Sequence, residues 1–237
     1  MKTRYFTPIG LFLMLAGALL SCREVDPGPR QNDDKSFAIV DLDRLEISSA
    51  FDVTVRQGSA FSIRAEGDRR DLSDMEVTKT GSTLTVNYKN SGRRQYTTYL
   101  TLTMPALKGA DFSGAVNSRI TGFSDRVSRF DLSLSGSSIT QLELNSDELY
   151  VWLTGASNLR AMGTGKRIEA SVSGASELTA FDYPVDQVKL VVSGASRAKV
   201  SASQLLNVNA SGASEVLYRG SPQIEQDVTG ASWVKKD

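Results

Sequence analysis

The sequence predicts an all-β protein: a parallel β-solenoid in the C-terminal half, capped by a β-section in the N-terminal half. Three observations carry this. First, a motif of Ser or Thr, then Gly, then Ala or Ser recurs on Gly114, Gly136, Gly155, Gly174, Gly194, Gly212 and Gly230, at gaps of 22, 19, 19, 20, 18 and 18 residues. Second, apolar residues stand six, four and two positions before each glycine from Gly136 onward, as in Phe130, Leu132, Leu134 and Val188, Leu190, Val192, with Gln226 the one exception among the eighteen. The positions between are mostly polar, so each copy holds a strand with one buried face. Third, a unit of about 19 residues cannot bury that face alone, whereas stacked copies pair their backbones and merge their apolar columns. Propeller blades need roughly 40–50 residues each, too many for this period.

In chain order, residues 1–21 read as a signal peptide. Lys2 and Arg4 precede the apolar run IGLFLMLAGALL, which at twelve residues is shorter than the roughly twenty that span a bilayer. Leu19-Leu20-Ser21-Cys22 resembles the lipobox of bacterial lipoproteins, which makes Cys22 the expected lipid attachment site and the membrane an expected partner. Residues 22–35 carry many charges, two prolines and one aliphatic side chain, Val25, and are expected to form a flexible tether.

Residues 36–112 alternate strongly, at Phe51-Val53-Val55, Leu84-Val86-Tyr88 and Leu100-Leu102-Met104. Turn residues separate the runs at Gln57-Gly58-Ser59, Gly67-Asp68, Thr80-Gly81-Ser82 and Asn90-Ser91-Gly92. Two or three hairpins are expected, continuous with the rod and covering its first coil. Residues 113–237 hold the seven repeats, and 36–237 read as one continuous domain.

The stretches FDVTVRQGSAFSIRAEG, GSTLTVNY and YLTLTMPAL, leading into DFSGAVNSRI and the SGAS units, resemble the autotransporter-adhesin head, or GIN, domain family over roughly residues 37–235. The namesake tripeptide is absent, and Gly114-Ala115-Val116-Asn117 is the nearest stretch. The resemblance implies a right-handed parallel β-helix-like body and an exported, outer-membrane or envelope location of the Bacteroidetes lipoprotein type. It implies no catalytic residues.

Composition narrows the function. The 27 basic and 27 acidic side chains cancel, and removing residues 1–21 takes away two bases and no acid, leaving a formal charge of −2. No basic excess exists for nucleic acid. With no histidine and one cysteine, the chain has no Ser-His-Asp or Cys-His arrangement, no imidazole metal site and no internal disulfide. No catalytic residue, metal or cofactor is expected. The expected role is a lipid-anchored, non-enzymatic adhesion or interaction module, with a polysaccharide-active or polysaccharide-binding protein and an envelope scaffold as alternatives. Outward-pointing Tyr150 and Trp152 form the candidate interaction surface for a glycan or protein ligand. Glu177, Arg197 and Glu215, each three residues after a motif glycine, predict a charge ladder and not a catalytic acid pair. Trp233, in the last unit, is the candidate end cap or the contact of a homo-oligomer.

Overall fold

The computed structural model describes residues 28–237, so Cys22 and the signal segment lie outside the described residues. The N-terminal part runs β1 (Asn32–Phe37), β2 (Arg44–Ser49), β3 (Phe51–Gln57), β4 (Ser62–Asp68), the short helix α1 (Arg69–Asp74), β5 (Met75–Thr80), β6 (Thr83–Tyr88), β7 (Thr98–Met104) and β8 (Gly109–Gly114). The repeats follow as β9 (Asn117–Leu134), β10 (Ile139–Leu153), β11 (Asn158–Thr164), β12 (Arg167–Val172), β13 (Glu177–Val192), β14 (Arg197–Ala210), β15 (Glu215–Gly220), β16 (Gln223–Val228) and β17 (Trp233–Lys236). Together they make a β-solenoid of about seven turns.

Each turn has two legs. One runs away from the glycine corner and the other returns to it, and the long strands β9, β10, β13 and β14 supply both, bending at an opposite corner where the register shifts. Pairing between turns is parallel and places like on like, as in Leu149↔Ile168, Val151↔Ala170 and Leu153↔Val172. The apolar columns read from the sequence are buried from Phe130 through Ala210, and Ile120, Leu142, Ala161, Ala180 and Val200 close the core from the other leg. Repeat-length differences are absorbed at the opposite corner: the five-position step from Ala180 to Val185 faces the two-position step from Val200 to Ala202 in β14. The surplus turns Tyr183 inward, where it is fully buried, its hydroxyl 2.8 Å from Ser146 Oγ and accepting the Ser146 N–H at 3.1 Å.

At the glycine corner, Gly114 through Gly230 all have φ between +72° and +85°. From Gly136 onward the residue after each donates its N–H to the glycine carbonyl one turn below, as Ala175 does to Gly155 at 2.7 Å, and Ala115 donates to the Ser49 carbonyl at 2.9 Å. Ser49, with φ +87°, is the first corner of the same column, and Gly114 packs on its backbone.

The N-terminal section is therefore part of the solenoid, and most of the expected hairpins are replaced by parallel pairs. Strands β2 and β3 form one turn beneath β8 and the first half of β9, while β6 and β7 form the turn outside that. The chain makes its second pass on the outer side of its first, then crosses back. Among the described residues only β5–β6, with its Gly81-Ser82 loop, is a tight hairpin. Period-two alternation identifies strands but not their neighbours, so the hairpin expectation failed where partners are distant in sequence. Antiparallel β5 on one leg, and β4 and β1 on the other, cover this end.

The expected tether must also be shortened, because Asn32–Phe37 is a strand paired with β4. The composition argument counts buried side chains, whereas β1 is held through its backbone and through ions. Arg64 meets Asp34 at 3.4 Å, Lys35 Nζ donates to the Leu72 carbonyl at 2.6 Å, and Gln31 N–H donates to Asp68 Oδ2 at 2.8 Å. Asp68 is 1% exposed and also caps α1 through Arg70 N–H. Hydrogen bonds from the Arg70 side chain, with those from the Gln31 and Arg70 backbones, hold its carboxyl well below the usual range against the opposing effect of burial. A depressed folded value stabilises the fold above the ordinary value of 3.8, and that contribution fades as pH falls below it. Asp68→Asn is therefore expected to lower the urea midpoint at pH 7, with the gap from the parent narrowing at pH 3.

Candidate functional site

The site lies on the outer surface of the leg that returns to the glycine corner. Strict alternation turns Tyr150 and Trp152 outward there, between the buried Leu149, Val151 and Leu153. Their rings stack with centroids 6.2 Å apart and planes 18° from parallel, and Trp152 is 41% exposed. Parallel register sets Asp131 and Glu169 beside Tyr150, and Ser133 and Ser171 beside Trp152, at the strand spacing of about 4.8 Å. The Trp152 ring thus stands proud between two serines.

Arg129 fixes the ledge from one side. Its guanidinium lies 3.9 Å from the Tyr150 ring centroid while its Nε donates to Asp131 Oδ1 at 2.7 Å. Arg44 reaches the other Asp131 oxygen at 2.8 Å, passing over Gly109, where a Cβ would meet Arg44 Nη1 at 2.8 Å. Burial works against the Asp131 charge, but hydrogen bonds from Arg44 and Arg129 outweigh it and keep the carboxyl below its usual range. That carboxylate in turn raises the Arg129 pKa. Tyr150 Oη donates to Glu148 Oε2 at 3.3 Å. The ledge is held before any ligand arrives.

A depression opens on each side of Trp152. The larger, about 380 Å³, is walled by Arg44, Glu46, Asp111, Asp131 and Ser133 and has Gly109 in its lining. The smaller, about 200 Å³, lies toward Ser171, Lys189 and Val191. Glu169 there is bound by Lys189 at 2.9 Å and Arg167 at 3.1 Å. A flat aromatic surface flanked by hydroxyl, carboxylate and guanidinium groups suits a ligand with one apolar face and a polar rim.

The other expected residues fall elsewhere. Glu177, Arg197 and Glu215 stand in register on the opposite leg as a ladder, with Arg197 Nε 2.7 Å from Glu215 and Lys199 Nζ 2.8 Å from Glu177. The Lys199 hydrogen bond keeps Glu177 below the usual carboxylate range, which suits a structural ion pair and not a proton donor. Trp233 continues this outward row opposite Glu215, with Lys235 Nζ 4.8 Å from its ring centroid, while its neighbour Val234 packs against the core. Among the described residues no group of three or more Cys, Asp or Glu side chains is placed to hold a metal ion.

Two features escaped the sequence reading. Glu46 and Asp111 are register partners on β2 and β8, 65 residues apart in the chain. Behind the glycine corner, Ser138, Ser157, Ser176, Ser196 and Ser214 form a buried column. Ser138, Ser157 and Ser214 donate to the carbonyls of Ser135, Thr154 and Ser211 at 2.7–2.9 Å. The closing serine of each SGAS unit was the available signal, since a buried hydroxyl requires a partner and a tight corner supplies one.

A family profile described as "Putative auto-transporter adhesin, head GIN domain" matches residues 41–222. No curated protein matches the chain. Several solved structures share the fold. A putative adhesin from Bacteroides fragilis aligns with a TM-score of 0.80 at 16% identity, covering 88% of this chain and 98% of that one. A putative adhesin from Parabacteroides distasonis aligns at 0.71 and 19% identity, covering 89% and 98%. A protein of the same organism described as a putative lipid binding protein aligns at 0.71 and 20% identity, covering 87% and 97%. No helix among the described residues is long and apolar enough to cross a membrane.

Proposed function

The chain belongs to the auto-transporter adhesin head GIN domain family, and from that premise we propose that it is a non-catalytic adhesion module of the cell envelope, anchored by lipid on Cys22, whose Tyr150–Trp152 ledge binds a glycan. The observation that carries the reading is the stacked, exposed aromatic pair locked by Arg129 and bordered by polar side chains. The apolar patch is only a few side chains wide, which matches a sugar ring better than the larger buried centre of a protein interface. The family's adhesin description and the adhesin fold neighbours support the adhesion-type role.

The test is a panel of neutral and acidic oligosaccharides read by calorimetry against the parent and Trp152→Ala. Trp152→Ala is expected to weaken binding by roughly 30-fold, the size of an aromatic hot spot of about 2 kcal/mol. Unchanged affinity in Trp152→Ala removes the site. Binding of a protein ligand alone, lost in the same variant, keeps the site and replaces the ligand class.

A further inference from the structure

The two ends of the solenoid are finished differently. The N-terminal end is covered by antiparallel strands. At the other end, among the described residues, β16 pairs only with β14, and β17 only with β15. Each therefore presents a free strand edge, one on each leg of the last turn. Ile224 points toward the core yet is 40% exposed, and Val228 and Val234 are only partly covered. Open strand edges beside uncovered core residues attract another strand.

The outward side chains of the two edges carry opposite charge. On β16 they are Glu225 and Asp227, paired with outward Asn207 and Asn209. On β17 they are Trp233 and Lys235, paired with outward Glu215 and Leu217. We infer that this end binds the same end of a second copy of the chain, β16 of each copy pairing antiparallel with β17 of the other.

The geometry follows from symmetry. A two-fold axis through the glycine corner and the opposite corner, perpendicular to the rod, exchanges the two legs. It brings β16 against the partner's β17 twice, in one isologous contact. Side chains that face the core must meet others that do so, which leaves two close registers. In one, Glu225 faces the partner's Lys235 and Gln226 faces the partner's Val234. In the other, Asp227 faces the partner's Lys235 and Val228 faces the partner's Val234. Either puts a carboxylate opposite an ammonium on both legs and joins the two cores end to end. Pairing β16 with another β16 would instead crowd four carboxylates, and like charges directly opposite destabilise a sheet. Lys236 stands at an inward position but is exposed, its Nζ 3.5 Å from Ser221 Oγ, away from the joint.

The test uses the full chain in detergent, with zero-length carbodiimide coupling of touching carboxylates and lysines, and sedimentation for mass. The expected results are a particle of twice the chain mass and a cross-link between Glu225 or Asp227 and Lys235 in the band of doubled mass. Lys235→Glu should abolish both. Combining it with Glu225→Lys and Asp227→Lys should restore the doubled mass, which separates loss of contact from loss of folding. A monomer throughout, a dimer cross-linked elsewhere, or a Lys235→Glu chain that still dimerises overturns the inference.

Discussion

Gly174→Ala is expected to destabilise the solenoid by about 3 kcal/mol. At φ +80° an L side chain costs roughly 1–2 kcal/mol from backbone strain. The remainder comes from contact, because a Cβ would lie 2.4 Å from the Gly155 carbonyl oxygen. That oxygen also accepts the Ala175 N–H at 2.7 Å, so it cannot retreat without losing a hydrogen bond of the corner ladder. Urea unfolding measures the total, and hydrogen exchange should place the loss in the turns flanking residue 174, since each turn of a solenoid contacts only its neighbours. Gly81→Ala is the control: φ is +60° and nothing lies within 4 Å, so only the backbone cost of about 1 kcal/mol is expected. Ser49, at φ +87°, bears the backbone cost without a stacked glycine carbonyl beneath it, because the turn outside passes through the nine-residue connection from Tyr88 to Thr98.

Arg94→Ala should cost about 3 kcal/mol, for a different reason. Arg94 closes that nine-residue connection. It sits 4.1 Å from the Tyr88 ring centroid, meets Asp71 at 3.1 Å, and pairs with Asp74. All three ionic side chains are 15% exposed or less. Burial opposes the Arg94 charge, but the Asp74 and Asp71 hydrogen bonds outweigh it and raise its pKa. Tyr88 beneath is pushed up to about 12, chiefly by burial, and donates to Thr98 Oγ1 at 2.7 Å. Removing the guanidinium takes the counter-ion from both the Asp71 and Asp74 carboxylates and leaves Asp74 only its hydrogen bonds from Asn90, the costly way to break a buried pair. Thermal unfolding of Arg94→Ala against Arg94→Lys reads it, with lysine recovering part of the loss because it keeps the charge without the fork.

The repeat half was legible because one residue in the sequence answers to one place in the structure. An apolar residue six, four or two before a motif glycine from Gly136 onward falls in the core wherever another turn lies above it, and is left uncovered or only partly covered at Ile224 and Val228, where none does. The outward placement of Tyr150 and Trp152 followed from the same alternation. The clamp around them did not, because Arg129 acts on Tyr150 along a diagonal: its register partner is Glu148, while that of Tyr150 is Asp131. A period-two reading sees rows, not diagonals. The order of the first turns was hidden for a related reason, as nothing local tells β6 that it will lie outside β2. For β1, the energy lies in backbone pairing and in the Asp68 clasp, which a count of apolar side chains does not register.

The two corners of the coil divide the labour of change. At the glycine corner the chain is held to the ångström by stacked carbonyls, so an inserted residue there would invert every side chain of the leg beyond it. The opposite corner already accommodates a step of five residues facing two, and pays with nothing more than a buried tyrosine. Insertions and deletions at that joint leave both legs in phase. The rod is accordingly editable in two independent ways: in length by whole turns, and in girth at one seam, while the rows of side chains it shows to the outside keep their alignment.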